Sequence, residues 1–205
     1  MKKKIPEVIS ILKKTYLNPK CGLDYKNPLE LIISARLSAQ CTDLKVSKVT
    51  PSLFEKFPNM ESFAEANVEE IEKYIHPCGI YKVKSRDIVS MCTKLIKNYN
   101  GEIPDNLEEL IKLPGIGRKT ANLILGEIFK KPAIIVDTHF MRITRKLGFH
   151  NSKNPYEIEK IMKNILPKSE STDFCHRIVL HGKNVCKAVG PQCEKCRVNN
   201  YCNGL

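Results

Sequence analysis

The sequence predicts an all-α protein. Helix N-terminal signatures recur along it, apolar residues repeat at i, i+3, i+4 and i+7, and the period-two alternation of a strand is nearly absent. The chain begins "MKKKIPEVISILKK". Its Ile5, Val8, Ile9 and Leu12 predict an amphipathic helix from about Pro6. Glu7 interrupts the apolar part and no small-residue cleavage site follows, so the stretch does not read as a secretory signal. "NPLELIISARL" has Asn27 as N-cap, Pro28 at the first helical position and Glu30 three residues after the cap, and predicts a helix to about Ser38. Gln40 falls near its end. Thr42 caps the next helix, with Val46, Val49 and Leu53 at helical spacing. "DNLEELIKL" repeats the capping logic with Asp105 and Glu108. In "RKTANLILGEIF", Ala121, Ile124, Leu125 and Ile128 form a buried stripe, which Pro132 ends. "AIIVDTHFMRITRKL" reads as a short apolar segment and a helix capped at Asp137. Residues 155–166 and 172–182 predict two more helices. Internal repeats, low-complexity tracts and Gly/Ser linkers are absent from the sequence.

The chain has 205 residues, enough to bury a sizeable core in one large or two small domains. Lys plus Arg is 34 against 22 acids, a formal charge of +12. The excess is uneven. Residues 1–20 hold six Lys and one Glu, whereas residues 55–73 hold six Glu and two Lys. A basic molecule with one acidic stretch fits a polyanion-binding face and a solvated opposite face, and fits general solubility as well. No run of 18 apolar residues exists, so no membrane span is expected. The nine cysteines are an odd count in what reads as a cytosolic chain, which argues against a disulfide framework and asks for a metal.

"LPGIG", residues 113–117, joins two helices through a very short turn. Gly115 and Gly117 permit positive φ and close approach of another backbone. The amides at the start of the second helix, with its dipole, form a phosphate site. An ordinary tight turn would also use these residues, but Arg118 and Lys119 follow at once, where a DNA backbone would lie.

"LPGIGRKTANLIL" resembles the helix–hairpin–helix motif of the endonuclease III family of DNA glycosylases. "VDTHFMRITRKLG", "LIISARLSAQCTD" and "GIYKVKS" extend the likeness over nearly the whole chain, in order and at compatible spacings. The resemblance implies a bifunctional DNA glycosylase and abasic-site lyase of base excision repair. Its substrate would be oxidised or ring-saturated pyrimidine in duplex DNA. It implies a helical, six-helix barrel-like domain over residues 20–131, carrying the hairpin. Residues 1–19 and 132–205 would form an iron–sulfur cluster domain, with the damaged base entering between the two. The protein would act as a cytoplasmic monomer on duplexes bearing damaged bases or abasic sites, without a membrane.

Lys119 and Asp137 are the chemical pair this resemblance selects. An amine is nucleophilic only when neutral, and an ordinary lysine stays charged up to about pH 10.4. A helix N-terminus and neighbouring Arg118 both oppose that charge. Such an amine can act as a nucleophile and form a Schiff base. The resemblance implies that it attacks C1′ of the damaged nucleotide and expels the base, after which β-elimination would cut the strand 3′ to the lesion. A phosphate-contacting surface lysine is the plainer role. Asp137 would balance the developing sugar cation and help activate the lysine. Capping its helix is a compatible second role. The family has a Gln matching Gln40 and an apolar residue where Ile80 stands. These side chains would fill the gap left by a base rotated out of the stack. A polar loop residue and a core isoleucine are the bland alternatives. His139 and Arg142 are candidates for phosphate contact, and equally for plain surface positions.

Four cysteines close the chain in "CKAVGPQCEKCRVNNYC": Cys186, Cys193, Cys196 and Cys202. The spacing is C-x6-C-x2-C-x5-C. Zinc and a [4Fe-4S] cube both remain open on spacing alone. The resemblance selects the [4Fe-4S] cluster, in a structural role that presents Lys187 to phosphate. Cys21, Cys41, Cys78, Cys92 and Cys175 read as small buried or otherwise ordinary residues. A monofunctional glycosylase for adenine or mismatched thymine, a non-enzymatic iron–sulfur DNA-binding module and an electron carrier are the rival readings. The adenine enzymes place an acid on the helix before the Gln loop, where this chain offers only Glu30 near the start. A binding module would need no Lys119–Asp137 pair, and a carrier no hairpin.

Overall fold

A computed structural model describes residues 4–204. Residues 1–3 and 205, which include Lys2, Lys3 and the outer bounds of the expected cluster domain, lie outside the described residues. Eleven α-helices and several 3-10 turns account for the described regular structure, with no strand among the described residues, as the all-α prediction requires. In chain order the helices are α1 (Lys4–Thr15), α2 (Pro28–Leu37), α3 (Asp43–Lys56), α4 (Met60–Ala64), α5 (Val68–Ile75) and α6 (Tyr81–Tyr99). They continue as α7 (Leu107–Leu110), α8 (Arg118–Glu127), α9 (Thr138–Lys146), α10 (Pro155–Ile165) and α11 (Ser171–Asn184). The chain divides into two compact units, residues 22–129 and residues 1–21 with 130–205.

The 22–129 unit is built on α2. Its Leu31, Ile32, Ile33, Ser34 and Ala35 are buried in succession, so this helix is enclosed on every side. α3, α6 and α8 pack against it. Asn27 caps it as the sequence predicts, accepting from the Glu30 N–H at 2.9 Å. Thr42 caps α3 in the same way. The cap of α7 stands one residue later than predicted. Asn106, not Asp105, accepts from the N–H of Glu109 at 2.9 Å, and the helix lasts only four residues. The acidic stretch of residues 55–73 also holds helices. Phe63, Ile71 and Ile75 are buried in α4 and α5, which pack on α6 while the glutamates stay outside. α6, the longest helix, has no N-cap signature in sequence, because residue 80 enters it from the left-handed region. α8 ends at Glu127, ahead of Pro132. Ile128 is only half-buried, and Lys130 breaks the run at φ 52°.

In the other unit α1 begins two residues earlier than expected and packs Ile5, Val8, Ile9 and Leu12 towards α11. α9 packs on α11 along Phe140 and Phe174, whose rings meet edge to face. Gly182 makes that approach possible, since a Cβ there would stand 2.4 Å from His139 Nδ1.

Candidate functional site

The Leu113–Gly117 turn is seated on charge. Gly115 has φ 73°, and a Cβ on it would lie 2.3 Å from Arg36 Nε and 2.8 Å from Asp87 Oδ2. Those atoms form an ion pair. Arg36 donates to Asp87 Oδ2 through Nε at 2.8 Å and Nη2 at 2.6 Å. Gly115→Ala therefore combines left-handed strain with displacement of a half-buried ion pair. The expected loss of stability is about 2–4 kcal/mol, readable in urea unfolding. Gly117 differs from its prediction. It stands at φ −89°, and nothing lies within 4 Å of an added Cβ. Positive φ is not its role, because it serves as the N-cap of α8 with a bare surface outward. No side chain caps this helix. The first intrahelical bond runs from the Ala121 N–H to the Gly117 carbonyl at 2.9 Å, so the amides of Arg118, Lys119 and Thr120 precede the helical ladder. Lys119, at the second position, is exposed, and Arg118 is half-buried.

Asp137 is held from two sides. The segment before it, Ala133 to Val136, is buried. The Ala133 N–H reaches Thr172 Oγ1 at 3.4 Å, and the Ile135 N–H reaches the Cys175 sulfur at 3.3 Å. Asp137 Oδ1 then accepts from the Phe140 N–H at 2.7 Å and caps α9. The carboxylate is half-buried, and Oδ2 is left outside the cap bond. Burial first, and then the nearby Asp137 charge, push the Cys175 thiol up to about 12 despite a hydrogen bond from Ile135. Cys92 rises likewise to about 12 by burial. Both thiols are inert core groups.

Gln40 and Ile80 both belong to the 22–129 unit, on exposed loops. Each has positive φ, 52° and 48°. Ile80 is 52% exposed, which sets aside the reading of a core isoleucine. His139 and Arg142 are half-buried on α9. His139 lies against Gly182, while Arg142 Nη2 donates to the Cys186 carbonyl at 2.6 Å and meets His139 Nδ1 at 3.3 Å. Arg142 thus braces the start of the cysteine loop, a contact the sequence did not signal.

That loop runs from α11 through two 3-10 turns, Cys193–Lys195 and Asn199–Tyr201. Val198, 2% exposed, anchors it, whereas Lys187 and Val189 stand in solvent. Burial raises the Cys196 thiol, a hydrogen bond from the Val198 backbone N–H opposes this, and the charges of Cys186, Cys202 and Cys193 raise it further. Cys196 Sγ lies 3.5 Å from His181 Nε2, and His181 Nδ1 lies 3.1 Å from the Tyr16 hydroxyl. Among the described residues no group of three or more His, Cys, Asp or Glu stands close enough to hold a single metal ion. No described helix is long and apolar enough to cross a membrane.

The arrangement has known counterparts. Residues 33–168 match the model of the HhH-GPD superfamily base excision DNA repair protein. The chain is 39% identical over 202 residues to the endonuclease III of Synechocystis sp., covering 98% of this chain and 92% of that protein. It superposes with a TM-score of 0.95 and 41% identity on a non-covalent endonuclease III–DNA complex, covering 99% of this chain and 95% of the other. A trapped endonuclease III–DNA covalent intermediate, an estranged-adenine complex, matches equally well, with a TM-score of 0.95, 41% identity and coverage of 99% and 96%. The hairpin, the capped aspartate and the full-length likeness agree: this chain belongs to the HhH-GPD superfamily of base excision DNA repair proteins, in its endonuclease III group.

Proposed function

We infer that this chain is a bifunctional DNA glycosylase and abasic-site lyase of base excision repair, acting on oxidised pyrimidines in duplex DNA. The observation that carries the reading is an amine at the second position of an uncapped helix behind a glycine turn, in a chain superposing on a trapped covalent DNA intermediate. Lys119 is the nucleophile. Its neutral Nζ forms a bond to C1′ as the C1′–N bond to the base breaks, and the base leaves with the bonding pair and takes up a proton. The sugar ring opens to an imine. Loss of the C2′ proton then expels the 3′ phosphate by β-elimination. Asp137 keeps a negative charge beside the cation that develops on the sugar.

The uncapped amides of α8 bind a backbone phosphate, aided by Arg118. The room outside Gly117 serves that phosphate, since nothing in the protein itself requires the missing side chain. Gly117→Ala is therefore expected to leave unfolding nearly unchanged and to lower duplex affinity roughly tenfold. For the wild type, log K should fall steeply with log salt, and a slope near zero would contradict a phosphate-dominated interface. Gln40 and Ile80 are the side chains that enter the stack when the base leaves it, and His139, Arg142 and Lys187 support the backbone contacts.

Cys186, Cys193, Cys196 and Cys202 would hold a [4Fe-4S] cluster. A tetrahedral zinc places its sulfurs about 2.3 Å from one ion, whereas a cube spreads its ligands over four irons. The spacing C-x6-C-x2-C-x5-C in a chain of the endonuclease III group supports the cube. The cluster would fix the loop that presents Lys187. Anaerobically purified protein is expected to carry about four irons and four sulfides per chain. Cys196→Ser should lower the melting temperature by roughly 10 °C, corresponding to a few kcal/mol for a chain of this size. Stoichiometric zinc without iron would contradict the assignment. The experiment that tests the function is incubation with duplexes carrying an oxidised pyrimidine, read as free base and as 3′-nicked strand. Base release without nicking would place the chain with the monofunctional enzymes.

A further inference from the structure

Lys84 lies in the first turn of α6 and is 1% exposed. Its ammonium donates to the Leu37 carbonyl at 2.8 Å and to the Cys78 carbonyl at 2.7 Å. Leu37 is the last residue of α2, and Cys78 is the last residue of the 3-10 turn His76–Cys78. The two oxygens are 41 positions apart in the chain, and both sit at helix ends, where carbonyls lack a helical partner and carry the negative end of the dipole. A buried ammonium needs such acceptors to offset its lost hydration. Burial, with Cys41 adding to it, pushes the neighbouring Cys78 thiol up to about 11. Burial also lowers the Lys84 pKa from its ordinary value, and the two carbonyls are the acceptors that hold its amine in place.

Each tethered segment runs on at once into an exposed, strained residue. Three residues after Leu37 stands Gln40 at φ 52°, and two residues after Cys78 stands Ile80 at φ 48°. A β-branched residue in that region is a costly conformation, which persists only where the surroundings over-determine it. One ammonium pins the stems of both loops.

We propose that Lys84 is a positioning residue for base eversion: it ties the Gln40 loop to the Ile80 loop so that both tips meet the same gap in the duplex. This rests on reading the chain as a DNA glycosylase. Parting a stack needs wedges already in place, because the cost of unstacking falls on the moment of insertion. Lys84 touches neither base nor sugar. Its effect should appear where a paired base must be extracted and vanish where the base is already unpaired.

The test compares Lys84→Met with wild type in single-turnover base release, on an oxidised pyrimidine in a fully paired duplex and on the same lesion inside a mismatched bubble. The expected result is a loss of roughly tenfold or more on the paired duplex and little change on the bubble. Gln40→Ala with Lys84→Met should lose clearly less than the product of the two single losses, since Lys84 acts in part through Gln40 and in part through Ile80. Should Lys84→Met fail to fold, Lys84→Gln, whose shorter amide cannot reach both carbonyls, is read on the same two substrates, with a loss again confined to the paired duplex. Equal losses on both substrates, no loss on either, or additive losses in the double variant would overturn the proposal. A wild type that releases base from neither substrate would instead overturn the glycosylase reading, and this inference with it.

Discussion

Lys119→Gln is expected to abolish both base release and covalent trapping while keeping most duplex affinity. The amide of Gln has no nucleophilic lone pair at neutral pH, so no bond to C1′ can form. Affinity survives because the chain carries +12 and only one phosphate-facing charge is lost. The α8 amides and the Gly115 turn on its Arg36–Asp87 seat are untouched by the change. Lys119 is exposed at the second helical position, so the substitution should also leave stability within about 0.5 kcal/mol. Gel-shift titration, glycosylase assay and unfolding on the same preparation separate these quantities. Trapping undiminished in this variant would remove Lys119 from its role.

Asp137→Asn gives the second largest effect and isolates electrostatics from folding. Asn caps helices as well as Asp does, so the bond from the Phe140 N–H survives, and α9 with it. The buried Ala133–Val136 segment and its ties to Thr172 and Cys175 keep position 137 in place. What disappears is a negative charge. Base excision should slow on the order of a hundredfold, the usual cost of removing one preorganised electrostatic partner. Strand cleavage at a ready-made abasic site should suffer less, because no base remains to be expelled. Equal slowing of the two steps would count against an electrostatic role in base loss.

The sequence showed most clearly what is local. Asn27, Thr42 and Asp137 were legible as caps because a cap is written within four residues. The stripe of α8 and the apolar face of α1 were legible because helical period alone places them inside. The all-α class followed from the same signals. What escaped notice was non-local. α6 is the longest helix, yet it starts from a left-handed Ile80, for which no capping pattern exists. Lys84 hid among Lys82 and Arg86, since one buried ammonium among solvated cations has no sequence mark. Arg36 did leave a signal, as a cation in the middle of the apolar run "LIISARL", but its partner Asp87 stands 51 residues away. The role of Arg142 on the Cys186 carbonyl depends on a loop 44 residues downstream. Gly117 reads in sequence as a second left-handed glycine, because sequence cannot distinguish freedom of φ from open space beside the backbone.

The central claim is that one amine both expels the base and cleaves the strand. Reduction with borohydride during turnover on a lesion-bearing duplex, followed by proteolysis and mass mapping of the adduct, tests it most directly. The account predicts a single secondary amine joining the opened sugar to Lys119. An adduct on another residue, or none at all while free base accumulates, would contradict it.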